Sequence, residues 1–210
     1  MPFHTWILFA IAYLVTTLSP GPNVLLVIRN TLRYGSVGTV TTIAGNLLAQ
    51  LVVVILVAIG VGAVLAAMPP IFVGMKVIGS LYLAYLGLKQ LKQAARQPTS
   101  IATATFEQRT GKGRIFREAL LVSGSNPKTL IFLSAFMPQF LTANRPLSLQ
   151  FFTMYLTISA IVMVVHSTYS TGVKRLHGRL GATRWVSAIK RLSGFIFVAL
   201  SVKLLTARQA

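Results

Sequence analysis

The chain has 210 residues, of which 54% are hydrophobic and 10% charged, with 20 Lys and Arg against 2 Asp and Glu. Soluble domains carry roughly 25% charged residues, so this composition excludes a soluble globule, and its mean hydropathy of +0.72 excludes a disordered chain. The basic residues sit in short stretches between apolar runs, which excludes a nucleic-acid partner. The absence of cysteine excludes disulfides, thiolate nucleophiles and Cys-held metals.

Six apolar segments follow in chain order, over residues 5–28, 38–67, 70–91, 116–141, 148–172 and 190–207. Each is near the length, about 20 residues, that crosses a hydrocarbon core, so the expected fold class is an all-α membrane protein with six transmembrane helices. The first segment has no Lys or Arg before it and no small-residue cleavage site after it, so it reads as a retained span. The second is long enough to tilt or to extend past one interface. Met68-Pro69-Pro70 makes the second and third a tight hairpin. The stripe Ala58, Gly62 and Ala66 suits close helix packing or an oligomer contact.

Lys and Arg divide unevenly among the connectors. Arg29 and Arg33 lie after the first segment; Lys89, Lys92, Arg96, Arg109, Lys112, Arg114 and Arg117 around the central loop; Lys174, Arg175, Arg179, Arg184, Lys190 and Arg191 after the fifth. These fifteen face two on the opposite side, Arg145 and Arg208, while Lys76, Lys128 and Lys203 lie within spans. The asymmetry places the basic connectors in the cytoplasm and both termini outside, in the periplasm of a bacterial inner membrane. Anionic membrane lipids are the expected neighbours of the basic loops. Lys76 and Lys203 are expected to snorkel to the interface.

Residues 92–115 form a polar, basic cytoplasmic loop that separates a first three-helix half, 1–91, from a second, 116–210. Three crossings per half turn the second upside down, the topology of inverted-repeat transporters. Each half carries an interruption. Ser19-Pro20-Gly21-Pro22-Asn23 precedes an apolar run in the first segment, and Asn126-Pro127-Lys128 does so in the fourth. Proline removes a donor and clashes with the preceding turn, so helices 1 and 4 are expected to break there. Free backbone groups in lipid cost several kcal/mol each, so such breaks must face protein or a wet cavity. Half-helices starting near Pro22 and Pro127 would present N–H groups and a positive dipole end to an anion. Paired breaks in matching positions mark a transport site.

Thr42, Asn46 and Gln50 recur every four residues on one face of the second segment, bordering a substrate path or bonding a neighbouring helix. Lys128 could meet a substrate carboxylate or snorkel. His166, the one deep side chain with an unperturbed pKa near neutrality, is a candidate proton relay or a neutral structural histidine. Glu118 suits the start of a helix. With no paired carboxylates, metal cluster or phosphate-binding loop, no catalytic residue, metal ligand or cofactor is expected, and the chain is not an enzyme.

These motifs continue into Arg29-Asn30-Thr31-Leu32-Arg33-Tyr34-Gly35, Lys76 to Gly87, and Phe136-Met137-Pro138-Gln139-Phe140. In this order, over essentially the whole chain, they resemble the LysE/RhtB family of bacterial amino-acid exporters. The resemblance implies efflux of an amino acid by a secondary transporter, antiport with the proton gradient, and a homodimer. It carries substrate binding onto Ser19, Pro20, Gly21, Pro22, Asn23, Asn126, Pro127 and Lys128. Many members have an acidic residue early in the fifth segment, whereas Ala160 to His166 has none here. A small neutral amino acid therefore fits better than a dibasic one. Its carboxylate would meet the half-helix ends and Lys128, and its ammonium the oxygens of Asn23, Asn46 or Asn126. A passive channel or facilitator, and a non-transporting scaffold holding anionic lipid, are the alternative expectations.

Overall fold

In a computed structural model, the described residues are 1–67, 81, 84–85, 87–89, 91–92, 111–142, 145–176, 191, 195, 198–199 and 202. Among them the structure is all-helical. The helices are α1 (Phe3–Leu18), α2 (Pro22–Ala67), α3 (Lys112–Gly124), α4 (Pro127–Ile131) and α5 (Leu147–Leu176). A π turn, Phe132–Phe136, and a 3₁₀ turn, Met137–Phe140, extend α4. Most of the segments expected at 70–91 and 190–207 lies outside the described residues, as do Met68-Pro69-Pro70, Lys76, Lys203 and the packing of Gly62 and Ala66.

Pro22–Gly60 and Leu147–Arg175 are long and apolar enough to cross a membrane, and Phe3–Leu18 is a shorter apolar helix. At 46 residues, α2 is roughly twice the length a bilayer needs. It does not run straight. At Gly35 the backbone takes φ 62° and ψ −144°, a conformation close to glycine's own territory. The chain folds back there. The Thr31 and Thr39 hydroxyls lie 2.8 Å apart, and Asn30 Nδ2 donates to Thr42 Oγ1 at 2.9 Å. In a straight helix, eight residues would separate Thr31 from Thr39 by about 12 Å. A Cβ on Gly38 would stand 2.2 Å from the Asn30 carbonyl oxygen, so the two arms, 22–34 and 36–67, meet backbone to backbone. The first expected segment is thus α1, a break and the arm 22–34; the second is the arm 36–67.

The polar residues point inward and many apolar ones outward. Thr42, Asn46, Gln50, Ser123, Gln150 and His166 are buried, whereas Val40, Leu56, Ile59, Leu149, Phe152 and Val164 are exposed. That inversion of the soluble pattern suits a lipid surround. The apolar core is aromatic. Phe132, Phe136 and Phe140 recur every fourth residue, and the wide π turn holds them on one face against Phe9 and Tyr13 of α1. Tyr13–Phe132, Phe9–Phe140 and Phe136–Phe140 meet edge to face, with centroids 5.3, 5.5 and 4.9 Å apart. Trp6 Nε1 donates to Thr157 Oγ1 at 2.9 Å and ties α1 to α5.

One expectation is corrected. Glu118 does not begin a helix: α3 starts at Lys112, so Glu118 sits beyond the reach of the helix N-terminus. Its carboxylate instead accepts from Arg29, joining α2 to α3. Both side chains are more than a third exposed, so the pair contributes only about 0–1 kcal/mol.

The reversal at Gly35 yields a stability prediction. Gly35→Ala should destabilise the folded protein by about 1–3 kcal/mol through backbone strain. Gly172→Ala, where an added Cβ meets open space, should not. Thermal unfolding in detergent compares them; equal melting temperatures would mean the turn tolerates a side chain.

Candidate functional site

Both expected breaks are present, and they touch. α1 ends at Leu18, Ser19 is extended at φ −68° and ψ 118°, and helix resumes at Pro22. α3 ends at Gly124, Asn126 is extended at φ −72° and ψ 109°, and helix resumes at Pro127. In each case proline takes the first helical position, where its missing N–H costs nothing and its φ is already helical. The Asn126 side chain caps its own helix, accepting from the Lys128 N–H at 3.1 Å.

The asparagines hold the breaks together. Asn126 Nδ2 donates to Asn23 Oδ1 at 3.0 Å. Asn23 Nδ2 reaches Ser123 Oγ at 3.2 Å and Thr129 Oγ1 at 3.5 Å. The Lys128 ammonium crosses to the Ser19 carbonyl at 2.8 Å, and the Tyr169 hydroxyl of α5 donates to the Leu18 carbonyl at 2.6 Å. The Leu18 and Ser19 carbonyls at the break are therefore satisfied from outside α1. Lys128 does not snorkel away from the break.

A cavity of about 30 Å³ opens beside these contacts. Of the expected residues, Ser19, Gly21, Asn23, Gln50, Asn126, Lys128 and His166 line it. Pro20, Pro22 and Pro127 do not: Pro22 and Pro127 face outward and act through the backbone they shape. Asn46 does not line it either. It is fully buried beside Ser123, whose hydroxyl lies 3.5 Å from its carbonyl, and among the described residues its amide atoms have no partner. Thr42 bonds Asn30 and serves the α2 turn. The polar face of α2 is thus divided, with structure at Thr42 and cavity at Gln50.

Four polar lining residues were missed in the sequence: Tyr13, Thr16, Thr17 and Thr129. Tyr13, Thr16 and Thr17 have the three- and four-residue spacing of one helix face just before the first break, a weak signal because threonine hydroxyls on a helix bond back to their own backbone. Thr16 and Thr17 donate to the carbonyls of Ala12 and Tyr13, each at 2.8 Å. Tyr13 donates to Gln50 Oε1 at 2.8 Å, which joins α1 to the arm 36–67. His166, 1% exposed, has a ring Nδ1 without a partner among the described residues. No group of three or more metal-ligating side chains occurs among those residues.

A family model described as LysE type translocator matches residues 14–208. The chain belongs to that family. Its function is therefore translocation, and its fold and apolar surface are those of a membrane protein. The homoserine/homoserine lactone efflux protein of Salmonella typhimurium is 28% identical over the full length of both chains. Its counterpart in Salmonella typhi is 27% identical, also over both full lengths. An uncharacterised membrane protein of Pseudomonas aeruginosa is 33% identical, covering 95% of this chain and 94% of its own. No solved structure matches.

The Asn23–Asn126 bond should be measurable. A double-mutant cycle with Asn23→Ala and Asn126→Ala should give a coupling of about 0.5–3 kcal/mol in thermal stability. Strictly additive losses would mean the breaks do not depend on one another.

Proposed function

We propose that this translocator exports small neutral amino acids across the cytoplasmic membrane, binding them between the two breaks. The carrying observation is the Lys128 ammonium, set in the cavity beside two proline-initiated helix starts, with no carboxylate partner among the described residues. An ammonium has three donors, and Ser19 takes one. The others suit a substrate carboxylate, helped by the positive ends of α4 and the arm 22–34. Tyr13, Thr16, Thr17 and Gln50 add polar, uncharged lining, suited to a short hydroxyl-bearing side chain such as that of homoserine, the solute in the names of the Salmonella relatives.

The arrangement favours a gated carrier over a passive channel. A cavity of about 30 Å³ holds a water or two, so an amino acid enters only when the helices part. In this reading the chain makes six crossings as two inverted halves, 1–91 and 116–210, about the basic loop 92–115. Both termini are periplasmic, and a homodimer is the working assembly. The proton gradient drives export, with His166, buried beside Lys128 and Tyr13 in the same cavity, as the relay.

Efflux from proteoliposomes, screened across labelled amino acids, tests the reading. Homoserine and threonine should exchange by counterflow and lysine should not; lysine as the preferred solute would overturn the neutral-substrate assignment. An inward pH gradient should accelerate efflux, and His166→Gln should keep exchange yet lose most of that acceleration. A full response in His166→Gln would remove the residue from coupling. Reporter fusions should place Arg109 in the cytoplasm and Ala210 in the periplasm; both on one side would break the six-span topology.

A further inference from the structure

Resting on that transport reading, the geometry points to Lys128 as a tethered cation: its ammonium fills the cation position at the broken carbonyl end of α1, and export therefore needs neither Na⁺ nor K⁺. The argument starts from the backbone. The last carbonyls of a helix have no partner within it and carry the negative end of its dipole. Where transporters break a helix inside the membrane, such unwound carbonyls coordinate the coupling cation. Here α1 breaks after Leu18, and the two carbonyls that flank the break, Leu18 and Ser19, already have partners. Leu18 accepts from the Tyr169 hydroxyl at 2.6 Å and Ser19 from the Lys128 ammonium at 2.8 Å.

The lysine is delivered to that spot by the opposite break. Pro127 starts α4, and Asn126 fixes the Lys128 N–H at 3.1 Å, so the side chain departs from a capped, rigid first turn. The lysine passes against Gly21: a Cβ there would make ordinary contact, 3.7 Å from the lysine Cδ and 3.9 Å from Nζ. The amide oxygens nearby are each engaged. Asn23 Oδ1 accepts from Asn126, Asn126 Oδ1 from Lys128 N–H, and Gln50 Oε1 from Tyr13. The one described carboxylate, Glu118, is bound to Arg29. A soluble cation thus finds the Ser19 carbonyl occupied, three amide oxygens engaged, and a fixed positive charge in its place. The ammonium answers the α1 dipole on one side and presents its remaining N–H groups to the cavity on the other.

The test uses the full-length chain in liposomes and counterflow of labelled homoserine. With all Na⁺ and K⁺ replaced by choline on both sides, the parent should run within twofold of its rate in NaCl or KCl. A tenfold or greater dependence on either metal ion overturns the inference while leaving the transport reading intact. Flux in no buffer overturns both. Lys128→Ala empties the position. In choline it should lose at least tenfold, and Na⁺ or methylammonium at high concentration should restore part of the rate by supplying a free cation. Parental flux of Lys128→Ala in choline overturns the inference. So does failure of every free cation to restore any rate, provided the variant matches the parent in membrane abundance and melting temperature.

Discussion

The structure depends on how backbone groups are satisfied where α1 stops. Inside a bilayer an unpaired carbonyl or N–H costs several kcal/mol, so an interrupted helix survives only if other elements supply partners. Here Tyr169 from α5 and Lys128 from α4 cap the free carbonyls of Leu18 and Ser19, and Asn126 caps the helix that carries Lys128. The Asn23–Asn126 bond then locks one break to the other. Each interruption is stable because the other is beside it. Of these groups Ser19, Asn23, Asn126 and Lys128 also line the cavity, so the atoms that stabilise the breaks overlap with those of the proposed binding site.

The packing around this centre protects it. The aromatic ridge of Phe132, Phe136 and Phe140 seals one side against α1, and the π turn keeps that ridge in register. The reversal at Gly35 brings Asn30, Thr31, Thr39 and Thr42 together, with Ser170 of α5 bonded to Thr39 at 2.8 Å. Gly45 lets α2 and α3 approach until an added Cβ would lie 2.7 Å from the Ala119 Cβ and the Phe116 carbonyl. Small residues and hydroxyls at such contacts are how membrane helices associate without a hydrophobic driving force. The arms 22–34 and 36–67 and α3 are thus rigidly joined, while the cavity lies where they meet α1, α4 and α5.

Much of this was legible in the residues. Proline next to glycine or asparagine inside an apolar run announces a break, because few other physical roles suit those residues there. Lys128 and His166 stood out because an ionisable group at membrane depth is costly. The pairing of the breaks followed from their matching positions in the two halves, but the atoms that join them did not: Asn23 to Asn126 is a contact across 103 residues. Glu118 was misread because a helix start was placed four residues late, and its true partner, Arg29, is 89 residues away. Asn46 shared its stripe with Gln50, yet a four-residue step was enough to carry one into the cavity and leave the other outside. Tyr13, Thr16 and Thr17 were passed over because hydroxyls on apolar helices are ordinary; only the break beside them gives them a cavity to face.

The central claim is that an amino acid binds between the two breaks, and the chain's lack of native cysteine makes it directly measurable. Gly21→Cys places a lone thiol on the cavity wall, at a position where an added Cβ meets nothing closer than 3.7 Å. The rate of its modification by a small methanethiosulfonate reagent in inverted vesicles, with and without homoserine, is the decisive quantity. The account predicts that a saturating transported amino acid slows modification at least several-fold, while a non-transported one leaves it unchanged. Equal rates with and without an amino acid that the same vesicles are shown to transport would place the binding site elsewhere.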